Sequence, residues 1–205
     1  MENYINIIYN PQKNDWKELL RGKNGQTDKT NENGVKLILK NIMESGDKAL
    51  LSYVKIFDNI NIKASELVVS EKEFEEATSK ISNELSYAIN CAISNVKKFH
   101  TAQKSPDISV ETMPGVTCRQ KSIPIGKVGL YIPGGTAPLF STVIMLAVPA
   151  KLAGCKEIVL CTPVNKEGKI APEVLYCAKL CGVDKVYRVG GPAAIAAMAY
   201  GTESI

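Results

Sequence analysis

Between Gly126 and Gly201 the sequence alternates three times between a short apolar run and a helix-length segment closed by glycine. That alternation restricts this part of the chain to an α/β arrangement with a parallel sheet. Lys127 to Ile132 reads as a strand, and Pro138 to Ala153, closed by Gly154, as the helix behind it. Glu157 to Cys161 reads as the next strand. Pro172, whose fixed φ suits a first helical turn, then opens a helix to Cys181, with Gly182 after it. Lys185 to Val189 and Pro192 to Tyr200, stopped by Gly201, complete a βαβαβα order. Strands joined this way run parallel with right-handed crossovers, and ligands on such sheets bind beyond the carboxyl ends of the strands. Pro149, inside LFSTVIMLAVPAKLAG, is expected to kink or interrupt its helix, because proline lacks an N–H and crowds the preceding turn.

Residues 1–124 follow a different grammar, helical with irregular polar connections, and read as part of a first domain incomplete in this chain; residues 125–205 form the second. A helix is expected from Val35 to about Ser45, ended by Gly46, and another from Lys48 to Phe57. Ser70 and Glu73 have the capping-box spacing, so a helix should begin there. Leu85, Ile89, Ala92, Val96 and Phe99 recur at three- and four-residue intervals, which places them on one core-facing stripe of a helix ending near Gln103. The stretch KSPDISVETMPGVTCRQKSIP, rich in β-branched residues and proline, reads as a linker or short edge strands.

With 205 residues, 45% of them hydrophobic, the chain can bury a substantial core. A formal charge of +4, spread along the sequence, does not point to nucleic acid or an acidic membrane surface. The opening MENYINIIYN lacks the features of a signal peptide, and no run approaches the roughly 20 apolar residues of a membrane span, so a cytoplasmic protein is expected. Six cysteines without a C-x-x-C pair read as reduced thiols, mostly buried. The one histidine, His100, has no carboxylate or cysteine partner in view and reads as hydrogen-bonded or exposed.

The candidate site lies in GLYIPGGTAPLFST, Gly129 to Thr142. Gly134-Gly135 and Gly190-Gly191 each follow a strand and precede a helix, where a ligand can approach the backbone and free helical N–H groups can face an anion. The same glycines also suit tight turns with positive φ. Tyr131 has two readings as well: a ring or hydroxyl offered to a ligand, or a partly buried packing residue. The spacing G-x-G-x-x-G is absent, which removes the standard pyrophosphate grip. No nucleophile–base set, metal-ligand cluster or P-loop can be assembled, so no catalytic or metal residue is assigned.

Residues 99–104 (FHTAQK), 128–163 (VGLYIPGGTAPLFSTVIMLAVPAKLAGCKEIVLCTP), 180–191 (LCGVDKVYRVGG) and 194–204 (AIAAMAYGTES) closely resemble the histidinol dehydrogenase family. The resemblance implies oxidation of L-histidinol to L-histidine through the aldehyde, with NAD and zinc, on a homodimer. It implies an aldehyde-dehydrogenase-like fold with incomplete Rossmann-like domains, and it places Tyr131 against NAD, with Gly134 and Gly135 as the surface beside the cofactor. Where the family usually reads GGAQAIAA this chain reads GGPAAIAA, so Ala193 stands in place of a glutamine that touches NAD, which implies weaker NAD binding. The family's zinc ligands and its glutamate and histidine acid/base pair have no counterparts here. The chain therefore reads as an amino-terminal portion, inactive by itself; the alternative is a non-catalytic nucleotide-binding or assembly module.

Overall fold

The computed structural model describes residues 8–19, 29–134 and 137–205. The chain divides into two compact units, Met1–Leu37 and Ile38–Ile205. In the first, a short helix α1 (Trp16–Leu19) follows a turn in which the Trp16 indole N–H donates to the Pro11 carbonyl at 3.2 Å. The same unit contains the start of α2 (Lys29–Tyr53), where Glu32 and Lys36 pair one turn apart.

In the second unit a π-helix (Val54–Asp58) and a 3-10 turn (Ala64–Glu66) follow α2. Next come α3 (Glu71–Ser79), α4 (Asn83–Ala102), a hairpin of β1 (Ile108–Met113) and β2 (Val116–Gln120), and then the α/β part. That part is β3 (Lys127–Tyr131), α5 (Phe140–Ala153), β4 (Glu157–Thr162), α6 (Pro172–Leu180), β5 (Lys185–Arg188) and α7 (Gly191–Tyr200). Strands β3, β4 and β5 form a parallel sheet in that order, with Tyr131 level with Cys161 and Cys161 level with Tyr187. The α/β expectation and its three strand–helix repeats hold.

Successive side chains alternate across this sheet, and both faces are covered. Leu130, Ile132, Ile158, Leu160 and Val186 join one buried cluster with Val143, Ala147, Val174 and Ala178 of α5 and α6, beside α3 and α4. Tyr131, Cys161, Tyr187 and Val189 join a second with Ile42 and Leu50 of α2 and Ala193, Ala194 and Ala197 of α7. Double coverage is why the strands read as near-continuous apolar runs. Gly129 lets α7 lie close on β3: a Cβ there would stand 2.5 Å from Met198 Sδ.

The outer edge of β5 is occupied by an antiparallel segment from the helical part of the chain. Val69 N–H donates to the Val186 carbonyl at 2.8 Å, and Arg188 N–H to the Leu67 carbonyl at 2.9 Å. This pairing seats the start of α3 beside Arg188. The capping box forms as expected: Glu73 N–H donates to Ser70 Oγ, and Glu73 Oε2 accepts from Ser70 N–H at 3.0 Å. The Arg188 guanidinium donates to both Glu73 oxygens, at 2.8 and 2.7 Å, with the Arg188 side chain only 13% exposed.

Gly46 breaks the helix as expected: with φ +48° and ψ −132° it separates two helical stretches of α2 across a kink. The distant segment after α7 fills that kink. Glu203 Oε2 accepts from Asp47 N–H at 2.8 Å, while the Asp47 carboxylate accepts from Ser204 N–H and Oγ–H. The expected helix from Lys48 to Phe57 instead changes to π pitch at Val54. Phe99 leaves the α4 stripe and is 64% exposed, whereas Ile89 is buried and Leu85, Ala92 and Val96 pack on the core. Pro149 removes one backbone donor yet α5 continues past it to Ala153. The stretch read as a linker or short edge strands forms two such strands, paired as a hairpin and exposed throughout, so that expectation holds.

Glu73 carries a testable consequence. Burial pushes its carboxyl up, but the hydrogen bonds from Arg188 and Ser70, with the Arg188 charge, outweigh that and hold it below the ordinary value of 4.5. A carboxyl lowered on folding contributes stability that is complete above its unfolded pKa and is lost as pH falls through its folded one. Glu73→Gln should cost about 1–3 kcal/mol at neutral pH, because Arg188 is left half-satisfied and the pair is partly screened by solvent. Its urea midpoint should also fall less on acidification than that of the parent chain. Parallel pH profiles for the two proteins would refute the assignment.

Candidate functional site

The sheet's carboxyl edge is built by Tyr131 at the end of β3, Thr162 and Pro163 at the end of β4, and Gly190 and Gly191 after β5. Parallel pairing puts the strand ends level, so the loops that follow converge. Tyr131 is half-buried, and its hydroxyl oxygen accepts a hydrogen bond from Gly191 N–H at 2.9 Å. This bond ties the β3 end to the start of α7. The hydroxyl proton stays available for a further acceptor.

Both glycine turns close on one proline ring. A Cβ on Gly134 would lie 2.6 Å from Pro163 Cγ, and one on Gly190 would lie 2.8 Å from Pro163 Cβ and 3.1 Å from Asp58 Oδ1. Gly191 has open space around it but adopts φ +64°, where side chains are strained. The absent side chains of Gly134 and Gly190 therefore admit the protein's own proline, a packing reason that the sequence pattern conceals. Gly135, the other expected cofactor-side glycine, lies outside the described residues.

Between the ends of β3 and β4 lies a cavity of about 180 Å³, bordered by Pro133, Gly134, Leu139, Thr162, Asn165 and Lys169. Whole-ligand pockets span roughly 300–1,000 Å³, so this space suits one ring or head group of a larger molecule. Asn165 Oδ1 accepts the N–H groups of Glu167 and Lys169 at 3.0 and 2.9 Å, which holds the bordering loop in shape. Lys169 is exposed and supplies a positive charge at the rim.

Other candidates from the sequence lie elsewhere or are chemically quiet. The His100 Nδ1 hydrogen-bonds Gln103 Oε1 at 2.6 Å at the end of α4, away from the sheet edge. All six cysteines are free thiols, as expected for reduced residues. Burial pushes the Cys161 and Cys177 thiols up to about 12 and that of Cys181 to about 11, so none of these three is a thiolate nucleophile at neutral pH. Among the described residues no three His, Cys, Asp or Glu side chains gather as a metal ion needs. Those residues do not fit zinc.

Ala193 is only 1% exposed, packed in the cluster between α7 and the sheet. A longer side chain at this position has to be accommodated within that packing. Sequence reasoning missed two residues of the edge. Pro163 stands inside the quoted VLCTP stretch, where its position after a strand was the only signal; Asp58 gave none, because its place depends on a helix changing pitch.

A protein-family model described as histidinol dehydrogenase matches residues 21–205. The chain is 51% identical to histidinol dehydrogenase of Bacteroides thetaiotaomicron over 201 residues, covering 98% of this chain and 46% of that protein. It is 53% identical to that of Escherichia coli K12 over 168 residues, covering 82% of this chain and 37% of the relative. The crystal structure of histidinol dehydrogenase from Elizabethkingia anophelis superposes with a TM-score of 0.87 at 44% identity, covering 96% of this chain and 45% of that one. The chain thus spans about half the length of the curated relatives it matches.

Because Gly190 meets a proline ring rather than a flexible side-chain tip, Gly190→Ala should destabilise the protein by about 1–3 kcal/mol through overpacking. Chemical denaturation measures this, and an unchanged midpoint would remove Pro163 as the reason for the glycine.

Proposed function

The chain belongs to the histidinol dehydrogenase family, and from this we propose that it is the amino-terminal portion of an enzyme that oxidises L-histidinol to L-histidine with NAD and zinc. Residues 125–205 form the Rossmann-like NAD side and residues 1–124 contribute to the other domain. The observation that carries the reading is Tyr131: half-buried at the sheet's carboxyl edge, its oxygen fixed by Gly191 and its proton available to donate, at an edge that also holds a cavity sized for part of a dinucleotide. Gly134 belongs to the border of that cavity, and Gly135 follows it in sequence.

NAD, when bound, supplies the hydride acceptor; the chain's own residues bind and orient it. Tyr131 donates a hydrogen bond, and Pro133, Leu139 and Thr162 exclude water from the bound ring. The acid, base and zinc ligands of the reaction come from polypeptide other than these residues. The complete enzyme is proposed to act as a homodimer, and the isolated 205-residue chain to be inert toward histidinol.

Calorimetric titration tests the reading. NAD should bind the 205-residue chain, and Tyr131→Phe should weaken that binding about 2- to 10-fold, the worth of one hydrogen bond. No binding, or equal affinity in Tyr131→Phe, would end the proposal. Formation of NADH from histidinol by the isolated chain would contradict its inertness. Ala193→Gln, expected to restore a cofactor contact, should also lower stability by about 1–3 kcal/mol, because its longer side chain enters a buried site. Titration and unfolding of this variant separate the two effects.

A further inference from the structure

Asp58 reaches the carboxyl edge from outside the sheet. It is the last residue of the π-helix Val54–Asp58, and Asn59 behind it adopts a left-handed φ of +55°. Both conformations are uncommon, and π-turns of this kind concentrate at functional sites. Together they carry a half-buried carboxylate to the Gly190–Gly191 turn, where Oδ1 stands 3.1 Å from the Cβ position of Gly190. Burial pushes this carboxyl above its ordinary range, and the Gly190 N–H, donated to it, pulls the other way.

The amino terminus of α7 is thus already engaged. Gly190 N–H faces Asp58, Gly191 N–H is held by the Tyr131 hydroxyl, and Pro192 has no N–H. Ala193 follows, buried. Two amides of this turn, those of Gly190 and Gly191, are thus taken up by the protein itself, and a carboxylate stands beside them. Like charges brought together at such a range cost several kcal/mol.

We propose that Asp58 is a specificity-determining residue of this edge: its carboxylate occupies the place of an anion at the start of α7 and excludes phosphate groups from the Gly190–Gly191 turn. Exclusion itself is independent of the NAD reading; its bearing on how NAD lies rests on that reading. A dinucleotide at this edge then turns its phosphates toward the cavity side, where Lys169 stands, and presents uncharged groups to Asp58 and Tyr131.

Sulfate, followed through the backbone amide resonances of Gly190, Gly191, Ala193 and Ala194, tests the exclusion without NAD. In the parent chain and in Asp58→Glu these resonances should not titrate. In Asp58→Asn, which keeps the acceptor but loses the charge, they should titrate with at least about tenfold tighter apparent binding. If Asp58→Asn loses its native amide spectrum, Asp58→Ser serves for the same comparison. Sulfate shifts in the parent chain equal to those of the neutral variant would overturn the proposal, as would a neutral variant that gains nothing. NAD titration of the parent chain is the separate control: its failure removes the cofactor reading and leaves the sulfate result to decide Asp58.

Discussion

A sheet only three strands wide carries helices on both faces. Everything at its carboxyl edge depends on how closely those helices and the strand-end loops can approach. Residues of both parities along each strand must be apolar, because neither face meets water. Where the approach is closest, side chains disappear: Gly129 gives way to Met198, and Gly134 and Gly190 both give way to Pro163. The site is therefore formed by packing before it is formed by chemistry.

A second regularity joins the helical part of the chain to the sheet. Three carboxylates from that part reach across it, each to a different kind of partner. Asp47 takes the backbone and hydroxyl of Ser204, Glu73 takes the Arg188 guanidinium, and Asp58 takes the Gly190 turn. Each acid is partly or largely withdrawn from water, where an unpaired carboxylate is costly, so the partners fix both register and orientation. The Leu67–Val69 segment adds backbone pairing along the β5 edge and protects it from other strands. In consequence the edge that carries Tyr131 is bounded by residues from both parts of the chain.

Much of the fold was legible because its signals are local. The strands of the α/β part stood out as apolar runs, their helices were bounded by Pro172, Gly154 and Gly182, and Ser70 with Glu73 announced the start of α3. Gly46 marked the break in α2, while the group that accepts the Asp47 N–H beyond it, Glu203, lies far along the chain. The failures share a cause. Phe99 sits at the right interval to be buried, yet α4 extends beyond the surface against which its stripe packs. The glycine pairs read as ligand-facing or turn-forming in sequence, whereas the ring of Pro163 meets Gly134 and Gly190 only once the strand ends are level.

The sequence by itself determined the α/β class, the order of strands and helices, and the family, because these follow from side-chain periodicity and from motifs contiguous in the chain. Only the tertiary structure decided what meets at the carboxyl edge of the sheet. It bonded the Tyr131 oxygen to Gly191, packed Pro163 against two separate turns, and carried Asp58 to the start of α7. These outcomes depend on distances between segments far apart in the chain, which a linear pattern does not encode. A carboxylate delivered by one change of helical pitch alters the charge at the start of α7, although every residue around it keeps the same name.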